Sequence, residues 1–325
     1  MKIIEVYKCL SVPVKYNVKK GNSVLILTDT SVEEEIYHAV MMACLEVEAH
    51  PVLMIIPPIR VWGNEPLTFL KSMINDIDVL INACSTGGFV HTNTFREIRR
   101  GRKKRDMLII SLAGRKIDNL LEGAGTADLE EVRRITNYFA DAITDGEQVR
   151  VTTPKGTDIT LSVKGRSGKR LTGFIPEHGD IVGFPSGEAA CAPLEGTTEG
   201  TIVIDTVMQK IGICKIPIVL NVKKGIVTKI EGGTEAENLK TFLEDSGDEY
   251  SYHIAEFAIG SNPKARLTGD ILEDKRKLGT IHFAIGNNLT LGGAINSKTH
   301  LDGVCINALV VIDGKKILEN GKPCW

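Results

Sequence analysis

The sequence lacks a strong excess of charge, a long apolar run and an N-terminal export signal. Its 325 residues carry a formal net charge of −2 at pH 7, and only 5% of them are aromatic. A nearly neutral chain gives no reason to expect nucleic acid or an anionic membrane as a partner. No window reaches about 18 uninterrupted apolar residues, and the opening MKIIEVYKCL lacks the apolar core of a signal peptide. We therefore expect a cytoplasmic protein with no membrane partner.

Cysteines and familiar catalytic motifs are also scarce or absent. The seven cysteines are odd in number and include no CxxC pair, which favours reduced thiols over a disulfide framework. The nucleotide fingerprint GxGxxG, the hydrolase motif GxSxG and the zinc motif HExxH do not occur. The sequence therefore gives no support for a dinucleotide-binding domain, a serine hydrolase or a zincin protease.

The first 146 residues alternate apolar runs with amphipathic segments. Runs rich in Val, Ile and Leu predict buried parallel strands, and the segments between them predict helices, the clearest over 127–143. This alternation predicts a doubly wound α/β domain with a mostly parallel sheet over residues 1–146. The predicted strands are SVLILTD (23–29), PVLMII (51–56), DVLINAC (78–84) and LIISLA (108–113).

Residues 147–325 have a different pattern. EQVRVTTPKGTDITLSVKG alternates polar and apolar residues around PKGTD, which predicts a β-hairpin. More alternating segments with glycine turns follow, and helices are predicted only near 234–245 and 267–277. At roughly 150 residues per domain, the chain length also fits two domains. We predict a β-rich α+β second domain that begins after Asp145-Gly146.

Histidines are few, and four of the seven lie between residues 178 and 300. The clearest pattern among them is His300-x-Asp302, because residues i and i+2 of an extended segment face the same side. An imidazole and a carboxylate placed in this way can bind one cation. One more histidine would complete the two-histidine, one-carboxylate arrangement of non-haem Fe(II) sites. The second domain is therefore predicted to bind a metal ion.

The residue that completes this site is left open by the sequence. His253 and Glu256 share a face on a helix but not on a strand, and either one could be the further ligand. Glu256 could instead be a buried carboxylate paired with Lys264 or Lys275.

Two other residues are candidates. Glu188 follows the turn-prone run Gly183-Phe184-Pro185-Ser186-Gly187, which makes it a ligand, a general base or a loop glutamate. His282 lies between apolar residues and fits a core histidine as well as a ligand.

The first domain offers one more histidine and a basic run. His91 lies in CSTGGFVHTN, after the third predicted strand, and ligands of open α/β sheets bind beyond the carboxyl ends of strands. It could face a ligand there or be solvated. The basic run over 96–105 has no interleaved aromatic residues, so we interpret it as a solvated helix face or a subunit contact rather than a nucleic-acid site.

Several C-terminal segments, taken in order, resemble one superfamily. AEFAIGSNP, the ED-K block before GTIHFAIGNN, a GGxxNS segment and HLD are similar to the aminopeptidase T and 2,5-dihydroxypyridine 5,6-dioxygenase group. The similar blocks span about residues 174–318, and the N-terminal half resembles the group only in its α/β character and its GGFVHTN loop.

The dioxygenase branch implies a mononuclear Fe(II) site held by His253, His300 and Asp302. His91 and His178 would act on the substrate, a hydroxylated N-heteroaromatic such as 2,5-dihydroxypyridine, whose ring is cleaved with O2. Such enzymes are commonly homo-oligomers. We prefer this branch because the chain is shorter than the aminopeptidases and retains His253.

The aminopeptidase branch implies two Zn, Mn or Co ions instead. Five residues match its ligands in order, although the tyrosine that assists in that branch falls at Leu289 here. A scaffold protein without catalysis is a third hypothesis, disfavoured because no predicted ligand is missing. The five residues of the dinuclear set are Glu188, Glu256, His282, His300 and Asp302.

Overall fold

The computed structural model describes residues 2–58, 70, 73, 76–86, 107–175 and 181–325. The chain forms two compact units, Met1–Thr126 with Thr172–Ser186, and Ala127–Leu171 with Gly187–Trp325. The sequence predicted one domain boundary near Asp145-Gly146, whereas the second unit begins at Ala127 and the first unit also includes Thr172–Ser186. The amphipathic helix before that point packs against strands of the second unit, and a later segment of the chain returns to the first.

The first unit contains a five-stranded parallel sheet in the order β2-β1-β3-β4-β8. Strand β1 (Ser23–Asp29) is an apolar run that is buried along nearly its whole length, as expected for a strand covered on both faces. The strands predicted for this sheet are confirmed, whereas β8 was not predicted. It has only three residues and pairs with β4 from far along the chain. The strands are β1 (Ser23–Asp29), β2 (His50–Ile56), β3 (Val79–Asn82), β4 (Leu108–Ser111) and β8 (Ile181–Gly183). The described helices of this unit are α1 (Lys2–Asn17), α2 (Glu34–Glu46) and α3 (Ile117–Leu121).

The second unit contains two antiparallel sheets. The eight-stranded sheet has the order β14-β13-β10-β6-β5-β18-β19-β20. The predicted hairpin around PKGTD is its β5–β6 pair. The strands are β5 (Gln148–Thr152), β6 (Asp158–Ser162), β10 (Glu199–Ile204), β13 (Ile218–Lys223), β14 (Ile226–Glu231), β18 (Leu309–Ile312), β19 (Lys315–Glu319) and β20 (Lys322–Pro323).

The seven-stranded sheet has the order β12-β11-β17-β16-β15-β9-β7 and carries the segments with the candidate ligands. Both sheets pack against one apolar core, which includes Val151 and Ile202 of the first sheet and Phe257 and Phe283 of the second. The strands are β7 (Lys169–Leu171), β9 (Glu188–Cys191), β11 (Val207–Met208), β12 (Gly212–Ile213), β15 (Ile254–Gly260), β16 (Ile281–Gly286) and β17 (His300–Cys305).

Helices are few in the second unit, as predicted. The long ones are α4 (Leu129–Asp145) and α5 (Thr234–Ser246), while the segment predicted near 267–277 is helical only over α6 (Ile271–Asp274). Asp128 caps α4 by accepting a hydrogen bond from the backbone N–H of Glu130. The predicted α/β and β-rich α+β classes are therefore both confirmed.

The described residues can be compared with two expectations from the sequence, one on the state of the cysteines and one on membrane-spanning helices. All seven cysteines are free thiols, and five of them are buried. Within the described ranges, no helix is both long enough and apolar enough to cross a bilayer.

Candidate metal centre

Five polar side chains lie on one face of the seven-stranded sheet, on strands β9, β15, β16 and β17. In the strand register, Glu256 pairs with Ala284, and Ala284 pairs with Asp302. Residues that pair across antiparallel strands point to the same face, and the face alternates at every residue along a strand. Glu256 and Asp302 therefore lie in one row across β16.

The other three polar residues follow from the same register. His282 pairs with Ala258, two residues along β15 from Glu256. His300 pairs with Gly286, and Glu188 pairs with Gly260. All of them are an even number of positions from the first row, so they share its face. Side chains alternate between the two faces along strands β9, β15, β16 and β17. The register of these strands therefore brings all five polar side chains to the same face.

The opposite face of the same strands is apolar. Phe257, Ile259, Ile281, Phe283 and Leu301 alternate with the polar residues and are buried in the core of the second unit. On the polar face, the positions between the candidate ligands hold small residues. Ala190, Ala258 and Ala284 are fully buried there and leave space among the longer polar side chains.

The five polar residues form two overlapping groups that share Glu256. The first group is Glu188, Glu256 and His282, and the second is Glu256, His300 and Asp302. In each group one nitrogen or oxygen atom per residue lies within 4.8 Å of the others. This separation is short enough for the atoms of a group to bind a single ion, since metal–ligand bonds are about 2.0–2.3 Å long.

His300 is held between the two carboxylates of its group. Its Nε2 lies 3.1 Å from Oε2 of Glu256 and 3.2 Å from Oδ1 of Asp302. Its Nδ1 lies 2.7 Å from the backbone oxygen of Asn287, which is an acceptor only. Nδ1 therefore donates its proton to that carbonyl, which fixes the ring and directs Nε2 toward the cluster.

Glu256 links the two groups through its two oxygens. Its Oε1 lies 3.3 Å from Nε2 of His282, on the side opposite the contact with His300. Burial favours the neutral form of Glu256, yet its hydrogen bonds with His282 and His300 lower the pKa of this carboxyl to about 2. The side chain that both ligand groups share is therefore a carboxylate.

Because the pKa of His300 is raised, a metal ion that binds to Nε2 must displace a proton. Burial disfavours the charged ring, yet the hydrogen bonds to Asp302 and Glu256 raise the pKa of His300 from 6.5 to about 10. In the metal-free protein Nε2 therefore carries a proton that both carboxylates accept. A divalent ion bound by Nε2 would replace that proton.

Lys275 is a site residue that the sequence did not identify as one. Its Nζ lies 3.0 Å from Oδ2 of Asp302 and 3.5 Å from Oε2 of Glu188, and its side chain is only 11% exposed. Burial disfavours the ammonium, while Asp302 and Glu188 raise the pKa of Lys275 above its ordinary value. Lys275 therefore pairs with Asp302 and Glu188, whereas the sequence suggested a pairing with Glu256. In the sequence, the only indication that Lys275 belongs to the site was its place in the ED-K block.

Asp302 is an ionised carboxylate whose two oxygens face different cationic groups. Burial raises its pKa, but Lys275 and His300 hold the pKa of Asp302 well below its ordinary value. Oδ2 accepts a hydrogen bond from Lys275, whereas Oδ1 is buried and lies 3.2 Å from Nε2 of His300. A metal ion bound at Oδ1 would take the place of the proton of Nε2.

The donor set as a whole fits a divalent transition metal. Oε2 of Glu188 lies 3.5 Å from Nζ of Lys275, and neither it nor the buried Nδ1 of His282 has a partner in hydrogen-bond geometry. Imidazole and carboxylate donors suit Fe(II), Mn(II) and Zn(II), whereas thiolates would favour softer ions. Cys191 lies among the core residues, opposite Phe257 in the register, and so belongs to the apolar face. The residues present therefore fit a bound metal ion.

The remaining predicted site residues are His253, His91 and His178. His253 directly precedes β15, and its imidazole lies 5.6 Å from the ring of Tyr250. Among the residues that the structure describes, it joins neither ligand group. His91, His178 and the basic run over 96–105 lie outside the described residues.

Comparisons with known proteins agree with the resemblance found in the sequence. The family model described as 2,5-dihydroxypyridine 5,6-dioxygenase, NicX, matches residues 9–324. A curated protein with that name from Pseudomonas putida KT2440 is 30% identical over 161 residues. That match covers 46% of this chain and 46% of the relative, so it spans about half of the relative's length.

Two solved structures share the fold. The 2,5-dihydroxypyridine dioxygenase of Pseudomonas putida KT2440 superposes with a TM-score of 0.84 at 20% identity, covering 99% of this chain and 97% of that one. AmpT from Thermus thermophilus superposes with a TM-score of 0.69 at 14% identity, covering 99% of both chains. The predicted superfamily is therefore confirmed, with representatives of both branches among the structures that resemble this chain.

Proposed function

Because the chain belongs to the NicX family of 2,5-dihydroxypyridine 5,6-dioxygenases, we propose that it is a metal-dependent, ring-cleaving dioxygenase. Its substrates would be a hydroxylated N-heteroaromatic, such as 2,5-dihydroxypyridine, and O2. The observation that carries the metal dependence is the group of Glu256, His300 and Asp302, in which Nε2 of the half-buried histidine lies between two buried carboxylates and the potential ligand atoms lie within 4.8 Å of one another. We propose Fe(II) as the ion.

His300 and Asp302 are the proposed fixed ligands of this ion. The carbonyl of Asn287 holds Nδ1 of His300, so only Nε2 faces the cluster. Lys275 donates a hydrogen bond to Oδ2 of Asp302, so Oδ1 is the oxygen of Asp302 that is left to bind the ion. When bound, Fe(II) would supply open coordination positions and the redox chemistry that O2 needs to react with an aromatic ring.

Glu256 is the third ligand that the geometry supports best. It shares a ligand group with His300 and Asp302, whereas His253 does not. His282 would then act through Glu256, because its Nε2 contacts Oε1 and orients the carboxylate. The sequence-based prediction of His253 as the third ligand is tested directly by comparing variants of the two residues.

Other residues keep their predicted roles in the substrate chemistry. Glu188 is buried next to Lys275 and is proposed to accept a proton rather than to bind iron. His91 and His178 are proposed to orient the substrate or move its proton.

A dinuclear metalloaminopeptidase is the second candidate function. It is favoured by one observation, namely that Glu188, Glu256, His282, His300 and Asp302 come together on one sheet face. Leu289, in the 3-10 turn Leu289–Leu291, stands where that branch would have a tyrosine. The assisting hydroxyl of that reaction is therefore missing at this position.

Oxygen uptake and metal content distinguish the two functions. Metal-free protein is loaded anaerobically with Fe(II), unbound ion is removed, and O2 consumption is followed after addition of 2,5-dihydroxypyridine. We expect about one iron per chain and one O2 consumed per ring opened. A His38→Ala variant, which changes an exposed histidine of the first unit, should behave like the unaltered protein. Release of amino acids from peptide amides, with two metals per chain and no O2 uptake, would contradict the proposal.

A further inference from the structure

Lys275 lies between one carboxylate from each of the two ligand groups. Its ammonium contacts Glu188, which belongs to the first group, and Asp302, which belongs to the second. Lysine is rarely buried unless it is paired, because removing an ammonium from water costs several kcal/mol. These contacts therefore place a permanent cation inside the cluster, in addition to any metal ion that binds there.

The charges of the cluster favour a single metal ion beside this lysine. Glu188, Glu256 and Asp302 supply three negative charges when ionised. One divalent ion and the ammonium balance them. Two divalent ions and the ammonium would instead leave two excess positive charges in a buried site, where uncompensated charge is strongly unfavourable.

Asp302 shows how the lysine divides the site. One of its oxygens accepts a hydrogen bond from Lys275, and the other faces Nε2 of His300 at 3.2 Å. Only one oxygen is then left for a metal ion, so Asp302 cannot offer one oxygen to each of two ions. Glu188 likewise has its Oε2 directed toward the lysine, at 3.5 Å.

We propose that Lys275 is the second cation of this centre: its ammonium holds Glu188 and Asp302 and thereby limits the centre to one divalent metal ion. This inference rests on the proposed metal-dependent function. Lys275 is a positioning residue in this role, since it acts through the carboxylates and not on the substrate. It also explains how a chain can retain all five residues of a dinuclear set and yet bind one ion.

Metal stoichiometry with Mn(II) as the probe tests this role without any substrate. Metal-free protein is titrated by equilibrium dialysis, and electron paramagnetic resonance spectra are recorded at saturation. We expect the unaltered chain to bind one Mn(II) and to give the six-line spectrum of an isolated ion. Lys275→Met should bind two ions and give an exchange-coupled spectrum, because Glu188 and Asp302 then need another cation.

A matched control and a second variant complete the experiment. Lys264→Met removes an exposed lysine of the same unit and should keep one ion. If Lys275→Met does not fold, Lys275→Gln removes the charge but retains hydrogen bonding, and it should also bind two ions. Two ions in the unaltered chain, or one ion in a folded Lys275→Met or Lys275→Gln variant, would overturn the proposal.

The outcome is separable from that of the proposed function. If the unaltered chain binds one ion and the lysine variants bind two, Lys275 has the inferred role even when no O2 is consumed with 2,5-dihydroxypyridine. If O2 uptake is found but the folded lysine variants bind one ion, the dioxygenase function stands and the role of Lys275 is refuted.

Discussion

The two faces of the seven-stranded sheet are built by the same strands and have opposite chemistry. One face is formed by residues such as Phe257, Phe283 and Leu301 and is part of the apolar core. The other face carries buried carboxylates and imidazoles, some of whose atoms have no hydrogen-bond partner. Burial stabilises the first face, because apolar groups leave water, but it destabilises the second unless cations compensate. The comparison shows that equal burial has opposite energetic consequences on the two sides of one strand.

The largest expected effect is the loss of the metal ion from a polar-face variant. His300→Ala removes Nε2, the proposed ligand atom, which lies between Glu256 and Asp302 while the carbonyl of Asn287 holds Nδ1 of the same ring. Metal content per chain, measured after anaerobic loading and removal of unbound ion, should fall to background. Full occupancy in this variant would show that the polar face is not the metal site.

A variant of the apolar face should lose stability and keep the metal ion. Phe257→Ala leaves a cavity in the core and should lower the free energy of unfolding by about 3–5 kcal/mol. Phe257 neighbours Glu256 in sequence but points to the opposite face. Denaturant unfolding of the metal-free protein gives the loss, and metal content is measured on the folded fraction. Loss of metal without loss of stability would contradict the separation of the two faces.

Lower pH should weaken metal binding by a smaller, graded amount. His300 has a raised pKa of about 10 in the metal-free protein, so a bound ion must displace its proton throughout the neutral range. Mn(II) affinity should rise about tenfold per pH unit between about pH 6 and about pH 8. Titrations across this range give the slope, and Lys264→Met serves as the control. A flat profile would show that the ion does not displace the proton of His300 Nε2.

The same raised pKa has a consequence for folding of the metal-free chain. Because the folded pKa lies above the ordinary value of 6.5, the stabilisation from protonated His300 is fully present below that value. It decreases as pH rises and is lost once the pH passes about 10. Binding of the ion and folding of the metal-free protein therefore respond to pH with opposite signs.

The smallest effect is expected from the histidine at the margin of the polar face. His253→Ala removes a ring that packs against Tyr250 and belongs to neither ligand group, so metal content should be unchanged. Glu256→Ala, the paired variant, should lose the ion. The reverse result would assign the third ligand to His253, as the resemblance alone implied.

Much of the fold followed from local patterns. Apolar runs such as Ser23–Asp29 gave the parallel strands, and the amphipathic segment of Leu129–Asp145 gave the helix. The short strand Ile181–Gly183 was missed, because three residues carry too little periodicity. Its pairing with β4 depends on contacts made far along the chain, which a local pattern does not encode.

The candidate site was predicted in composition more than in arrangement. The five residues that the sequence predicted for a dinuclear site include every residue of the two ligand groups. Lys275 was missed as a site residue, because a lysine that follows an acidic pair is ordinarily solvated. The choice between His253 and Glu256 depended on whether that segment is a helix or a strand, and the structure places Glu256 within β15.

The sequence by itself identified the carboxylates and imidazoles that are candidate metal ligands, since residue type is a local property. It also predicted that His300 and Asp302 share one face if their segment is extended. Only the tertiary structure decided that four strands align these segments in register and that Lys275 reaches Asp302 and Glu188. The physical reason is that register and burial are set by packing between distant parts of the chain, and they determine which charges must share one buried site.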